Sequence, residues 1–249
     1  RDVAPSRGLG DVYKRQRKIQ DCLDSWKKHL PSYEIILWDT KRFNIHEVPW
    51  VEQAFNTKKY AFAADYIRLY ALYHHGGIYL DSDVEILKSL DNFLELPYFV
   101  GAETSGTIEA AILGAEKGCD WIKCCLDYYE GRNFIREDGS YDIRMLPEIL
   151  NETILRLKPV INMPSGSNID DLKKKDLGEA VYVLPKEYFS PKVFDSREVF
   201  LTPETHAIHH YQNSWFSHKA FAYYRTRTLF IKIFGYKAVR SLEKMLLKR

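Results

Sequence analysis

Between Tyr60 and Tyr73 the chain is almost wholly apolar, and its only charges are Asp65 and Arg68. A helix that is apolar all round belongs in an interior. A buried carboxylate and guanidinium are costly there unless they pair with each other or meet a ligand. At a spacing of three the two share a face and can do both. Gly76-Gly77 then stops the helix, and Ile78-Tyr79-Leu80 is a short β-type run. Directly after it stand Asp81-Ser82-Asp83, at the strand end where open α/β sheets bind ligands.

The same reading along the rest of the chain predicts helices over 17–29, 49–55, 58–75, 89–95, 119–130 and 146–157. Strands are predicted over 33–38, 77–80, 84–87, 97–102, 109–114, 180–184 and 207–211. Helices and strands mixed in this order give an α/β fold. The stretch 117–168 reads as an insertion with a polar connection at 133–142, the kind of loop that carries variable function.

Two carboxylates one residue apart make a hard, oxygen-rich corner. Mg²⁺ or Mn²⁺ suits it when phosphate oxygens complete the shell. An isolated D-x-D also arises by chance in a chain with 34 acidic residues. The buried Asp65/Arg68 helix, the glycine pair and the preceding strand are what lift this one above chance.

With those residues in place, the run Tyr60–Ile86 resembles the core of the DXD-containing sugar transferases, a group that includes capsular-polysaccharide glycosyltransferases and initiating mannosyltransferases. Cys22–Asp39, with Trp26, Pro31 and Trp38, resembles that family's first helix and second strand. Ala111–Gly118 resembles the segment after the next strands, and Thr205–Trp215 resembles its closing His…Ser-Trp motif. The likeness covers residues 17–217. It implies a GT-A-like nucleotide-sugar-binding fold with a mixed central sheet, a helical insertion and a C-terminal amphipathic helix. It implies a metal-dependent, retaining glycosyltransferase that moves a hexose from a UDP- or GDP-sugar to a glycan or lipid-linked acceptor, in capsular or surface polysaccharide synthesis. In that reading Asp83 ligates Mn²⁺ or Mg²⁺, and Asp81 holds the ribose or the metal's water shell. Asp65 and Arg68 grip the donor sugar's hydroxyls, and Tyr79 lines the pocket. His209, with His210 as its alternate, approaches the metal, and Ser214 and Trp215 lie near the phosphates. His209 and His210 are neighbours on a strand, so at most one faces the metal. No residue stands out as a covalent nucleophile, which leaves front-face displacement as the implied route.

The amino end departs from the likeness. The family opens with an apolar strand, whereas residues 1–16 hold Pro5, Gly8, Gly10 and six charges. By composition they read as a flexible, foreign-looking tail, which would leave the first strand missing or replaced and part of the donor pocket with it.

Composition adds three points. At 249 residues and 45% hydrophobic, the chain can bury one sizeable α/β core. Cys22, Cys119, Cys124 and Cys125 show neither a paired framework nor metal spacing, which reads as reduced, intracellular thiols. Residues 219–249 hold nine lysines and arginines against one acid, Glu243, interleaved with Phe221, Phe230, Phe234 and Leu246. That basic segment over 218–249 reads either as a membrane-surface helix or as a terminal helix packed on the domain. The first reading places the protein in the cytoplasm at the inner face of a membrane. Dispersed basic residues without a recognition motif argue against nucleic acid.

Two other classes compete. Leu80-Asp81-Ser82-Asp83-Val84 also fits the nucleophile motif of haloacid-dehalogenase-like phosphatases, with Asp81 attacking phosphorus, yet that family's later Lys with a second acidic pair of the form G-D-x-x-x-D finds no match in the sequence. A nucleotide-sugar- or glycan-binding module without turnover would show the same aspartates and no sugar release.

Overall fold

The computed structural model describes residues 9–104, 106–193 and 198–211, with 226, 227, 229, 230, 233 and 235. The described chain is a mixed α/β fold. Its helices are α1 (Leu9–His29), α2 (Pro49–Asn56), α3 (Tyr60–His75), α4 (Asp120–Asp127), α5 (Leu146–Leu157) and α6 (Ile169–Lys173). Its strands are β1 (Gly77–Leu80), β2 (Val84–Ile86), β3 (Tyr98–Ala102), β4 (Ile108–Ala115), β5 (Val160–Asn162), β6 (Val181–Val183) and β7 (Ala207–His209).

The central sheet is antiparallel, in the order β1-β4-β3. Along β3 the side chains alternate as the pleat requires. Tyr98, Val100 and Ala102 enter one core, with Trp50, Leu69, Trp121 and Ile149 from α2 to α5. Phe99 enters the other, with Trp26 and Leu30 of α1, Phe93 and Phe189. Helices therefore cover both faces of the sheet. A parallel bridge from Gly101 to Leu184 extends β3 towards the parallel pair β5-β6.

α3 meets its expectation closely: no residue from Tyr60 to Tyr73 is fully exposed. It ends at Gly76, whose φ of 71° only glycine adopts without strain. A Cβ on Gly76 would also sit 2.7 Å from the backbone nitrogen of Lys117. The glycine thus allows the sharp return from α3 into β1.

β2 and β7 form a separate antiparallel ribbon with Val84 opposite His209. The other edge of β2 is finished by α1 rather than by a strand. The Trp26 indole donates to the carbonyl of Val84 at 2.7 Å, and Ser25 Oγ accepts from the backbone N–H of Ile86 at 2.9 Å. Side chains here satisfy backbone groups that would otherwise be orphaned.

The structure departs from expectation in several places. α1 reaches back to Leu9, so 9–16 continue the helix instead of forming a loose tail. Residues 33–38 form no strand: among the described residues nothing pairs with them, and Ile35, Ile36 and Leu37 are exposed. The helix expected over 89–95 is a single 3-10 turn, Asp91–Phe93. β5 lies in the insertion and α6 directly after it, and the sequence pattern predicted neither. α6 is set by a capping box, with the Asn168 side chain accepting from Asp171 N–H and Asp171 reaching back to Asn168 N–H. The four cysteines are free thiols. No described helix is long and apolar enough to cross a membrane, and most of the basic segment 218–249 lies outside the described residues.

Candidate active site

β1 delivers the two aspartates. The N–H of Asp81 donates to the carbonyl of Ala111 at 2.8 Å, continuing the ladder with β4, and the carbonyl of Asp81 accepts from Val84 N–H at 3.0 Å. The chain therefore turns across Ser82-Asp83 and enters β2. Because β2 pairs with β7, the turn brings His209, more than a hundred residues later in sequence, back beside Asp83. One donor atom each from Asp81, Asp83 and His209 lies within 4.8 Å of the others. His209 Nε2 is 3.7 Å from Asp83 Oδ1.

Asp81 is fixed from beneath. Its Oδ1 accepts from the Tyr79 hydroxyl at 2.6 Å and lies 3.5 Å from an Arg68 nitrogen. Arg68 is 5% exposed. It pairs with Asp65 at 3.0 Å, donates to the carbonyl of Ala110 at 2.7 Å and rests over the Tyr79 ring at 4.6 Å. Burial opposes its charge, but Asp81, Tyr79 and Asp65 outweigh that and raise its pKa. The expectation that Arg68 itself reaches for sugar hydroxyls meets a guanidinium already committed on every side. Its structural role is to join Asp65, α3, β4 and the DXD turn.

His209 is held from the opposite side by a residue that the sequence reading missed, Glu109 of β4. Nδ1 of His209 lies 3.0 Å from Glu109 Oε2. Burial disfavours the imidazolium, yet the Glu109 carboxylate and the aspartates overcome it and raise the pKa to about 9. Burial likewise pushes Glu109 up, and His209, Ser190 and the Ala111 N–H together bring it down to about 2. The signal for Glu109 was present in the sequence: it is a lone acid inside the apolar strand Ile108–Leu113, the same anomaly that picked out Asp65 and Arg68.

His210 is not a ligand in this arrangement. Strand alternation turns it to the other face, where Nε2 lies 2.8 Å from Glu85 Oε2 and burial lowers its pKa against the pull of Glu85. Ser214 and Trp215 lie outside the described residues.

Two carboxylates from a strand-end turn and an imidazole from β7 form a hard O,O,N donor set. Their spacing accommodates one cation at the ~2.0–2.6 Å ligand distances of Mg²⁺, Mn²⁺ or Ca²⁺, with the remaining positions open to water or phosphate. This set, placed beyond a strand end of a mixed α/β fold, could hold one divalent cation. Residues 16–100 match the family described as glycosyltransferase sugar-binding region containing DXD motif. Among curated proteins it is 34% identical over 92 residues to inositol phosphoceramide mannosyltransferase 3 of Schizosaccharomyces pombe, covering 35% of this chain and 26% of that protein. It is 33% identical over 109 residues to mannosyl phosphorylinositol ceramide synthase SUR1 of Saccharomyces cerevisiae, covering 39% of this chain and 28% of that one. The chain thus spans about a quarter of the length of these relatives. Among solved structures, PaToxG glycosyltransferase aligns with a TM-score of 0.41 at 19% identity, over 57% of this chain and 63% of that chain.

Proposed function

We propose that this chain binds a nucleotide sugar through a divalent cation and transfers its hexose to a lipid-linked or glycan acceptor. The observation that carries the reading is the convergence of Asp81, Asp83 and His209 from separate stretches at the end of β1. Asp83 and His209 would hold Mn²⁺ or Mg²⁺, with Asp81 as a third ligand or as anchor of its water shell. Bound there, the metal would neutralise the charge that develops on a leaving nucleoside diphosphate. Tyr79 and Arg68 fix the Asp81 carboxylate, so the ligand geometry exists before the donor arrives. Asp65, partly exposed beside Arg68, is the side chain of that pair placed to accept from a sugar hydroxyl.

Both relatives described above have names that join mannosyl transfer to an inositol phosphoceramide. Those names favour a mannosyl donor and a lipid-linked acceptor over the surface-polysaccharide setting that the sequence likeness implies. Front-face displacement with retention is the route of this reading: Glu109 is 3% exposed and cannot touch a sugar, and Asp65 is tied to Arg68 at 3.0 Å. Work at the cytoplasmic face of a membrane is consistent with a lipid-linked acceptor. The phosphatase alternative loses its support to the family match.

The deciding experiment is thermal unfolding with Mn²⁺ plus UDP, then Mn²⁺ plus GDP, for this chain and Asp83→Asn. At ligand about 100-fold above Kd, binding adds ~2.7 kcal/mol, a plain rise in Tm. A metal-dependent rise with one nucleotide, absent in Asp83→Asn, supports the reading and picks the donor class. No rise with either nucleotide overturns it. Binding with no sugar released from the matching donor would leave a binding module.

A further inference from the structure

Glu109 is a carboxylate at 3% exposure that pairs with no lysine or arginine among the described residues. Its four hydrogen-bond donors come from three segments. The N–H of Ala111 donates to Oε1 at 2.9 Å. The Ser190 hydroxyl at 2.6 Å, His209 Nδ1 at 3.0 Å and the Tyr211 hydroxyl at 3.3 Å all address Oε2. Burying an anion this deeply is costly, and packing alone would be served better by an apolar side chain. What the carboxylate does locally is specific. It is an acceptor only, so His209 must present Nδ1–H to it. The opposite nitrogen, Nε2, then faces Asp83 and Asp81. The backbone N–H of Ala111 pins one oxygen of Glu109, and the 4.0 Å contact between the His209 and Tyr211 rings limits rotation of the imidazole.

We propose that Glu109 is the positioning residue of the metal centre, holding His209 in the Nδ1–H tautomer with the Nε2 lone pair aimed between Asp81 and Asp83. This inference rests on the metal-site reading given above. Imidazole ligands owe orientation and basicity to the group on their far nitrogen, and losing that group costs about 10–100-fold in metal affinity.

The substitution that exposes the role is Glu109→Gln. The fixed donor at Ala111 holds the amide oxygen, so the amide NH₂ turns to His209 Nδ1 and forces the proton onto Nε2, where it blocks the metal. Mn²⁺ affinity is measured directly, by the electron paramagnetic resonance signal of free Mn²⁺ during titration, for the wild-type chain and for Asp83→Asn, Glu109→Gln, His209→Ala and the Glu109→Gln/His209→Ala double variant. Glu109→Gln should bind Mn²⁺ about 10–100-fold more weakly than wild type. In the His209→Ala background the same change should have no further effect, because Glu109 acts only through that ring. A role confined to folding would weaken both backgrounds equally and overturn the proposal. Wild-type affinity in Glu109→Gln would overturn it alone, with the metal site intact. Equal, negligible binding in wild type and Asp83→Asn would remove the metal-site reading and the proposal together. A readout on the unmutated chain covers the case in which Glu109→Gln does not fold. In saturating Mg²⁺, the ¹⁵N spectrum of labelled histidines should show His209 protonated at Nδ1 and bare at Nε2, and a proton on Nε2 would overturn the assignment.

Discussion

Two short stretches of this chain look alike in sequence and end differently. Ile78-Tyr79-Leu80 becomes β1, in register with Ile112–Gly114 of β4. Ile35-Ile36-Leu37 stays outside any strand and unpaired in a ladder among the described residues, with Leu37 60% exposed. Both have strong β propensity, but propensity states only that a segment would fit a pleated, half-buried surface. β1 has such a surface because Gly76 returns it from α3 directly against β4. The 33–38 stretch meets no strand among the described residues, and only its ends, Tyr33 and Trp38, pack on the cores. The difference teaches that the site does not stand on strand propensity. It stands on polar side chains that tie separate segments together: Arg68 between α3, β4 and the DXD turn, Glu109 between β4, Ser190 and β7, and Trp26 and Ser25 between α1 and β2.

The strongest way to break that contrast is to remove the guanidinium. Arg68→Met leaves Asp65 and Asp81, both mostly covered, without their shared cation. Deleting one partner of a buried ion pair costs about 3–5 kcal/mol, and the Tyr79 and Ala110 contacts go with it. Urea unfolding without metal should show a loss of that size, and Mn²⁺ binding should fall because Asp81 is no longer held. A loss under about 1 kcal/mol would mean that the pair is solvated and that the DXD turn is held by something else.

A change of pH sharpens the comparison without mutation. The pKa of His209 lies near 9 in the folded chain, above its ordinary 6.5, so its contribution to stability is complete below pH 6.5 and is lost as pH rises through 9. Glu109 is shifted the other way, to about 2 from 4.5, so its contribution is complete above pH 4.5 and is lost as pH falls through 2. In chelator, Tm should therefore decline from pH 6.5 to 9, and His209→Gln should flatten the decline. With Mn²⁺ present the added stabilisation should grow across the same window, because the metal needs the imidazole that the proton occupies. An unchanged decline in His209→Gln would place the titration elsewhere.

The same contrast explains what was legible in the sequence. Gly76-Gly77, the buried charges of α3, the aspartates at a strand end and one histidine facing them all carry local signatures, and the structure brings them together. The tertiary partners of those residues carried weaker ones. That Arg68 would be consumed by Asp81, Tyr79 and a β4 carbonyl depends on how β4 lies across β1, which spacing within α3 does not reveal. Glu109 showed itself only as an acid in an apolar strand, and its meaning needs His209, a hundred residues away. Residues 9–16 looked loose because Gly8 and Gly10 suggest a break, yet the polar, charged run that follows sustains α1 through them.

The smallest expected effect tests the other half of the comparison. Leu37 is more than half exposed in a segment with no strand partner among the described residues, so Leu37→Ser should change stability by no more than ~0.5 kcal/mol. Its counterpart Leu113 sits fully buried in β4, opposite Tyr79 and Val100. Leu113→Ala should cost ~2–5 kcal/mol through lost burial and the cavity left behind. Both are read as midpoint shifts in urea at pH 6, where His209 and Glu109 contribute fully. Were Leu37→Ser to cost as much as Leu113→Ala, the 33–38 stretch would be covered in solution, and its resemblance to β1 would extend from sequence to structure.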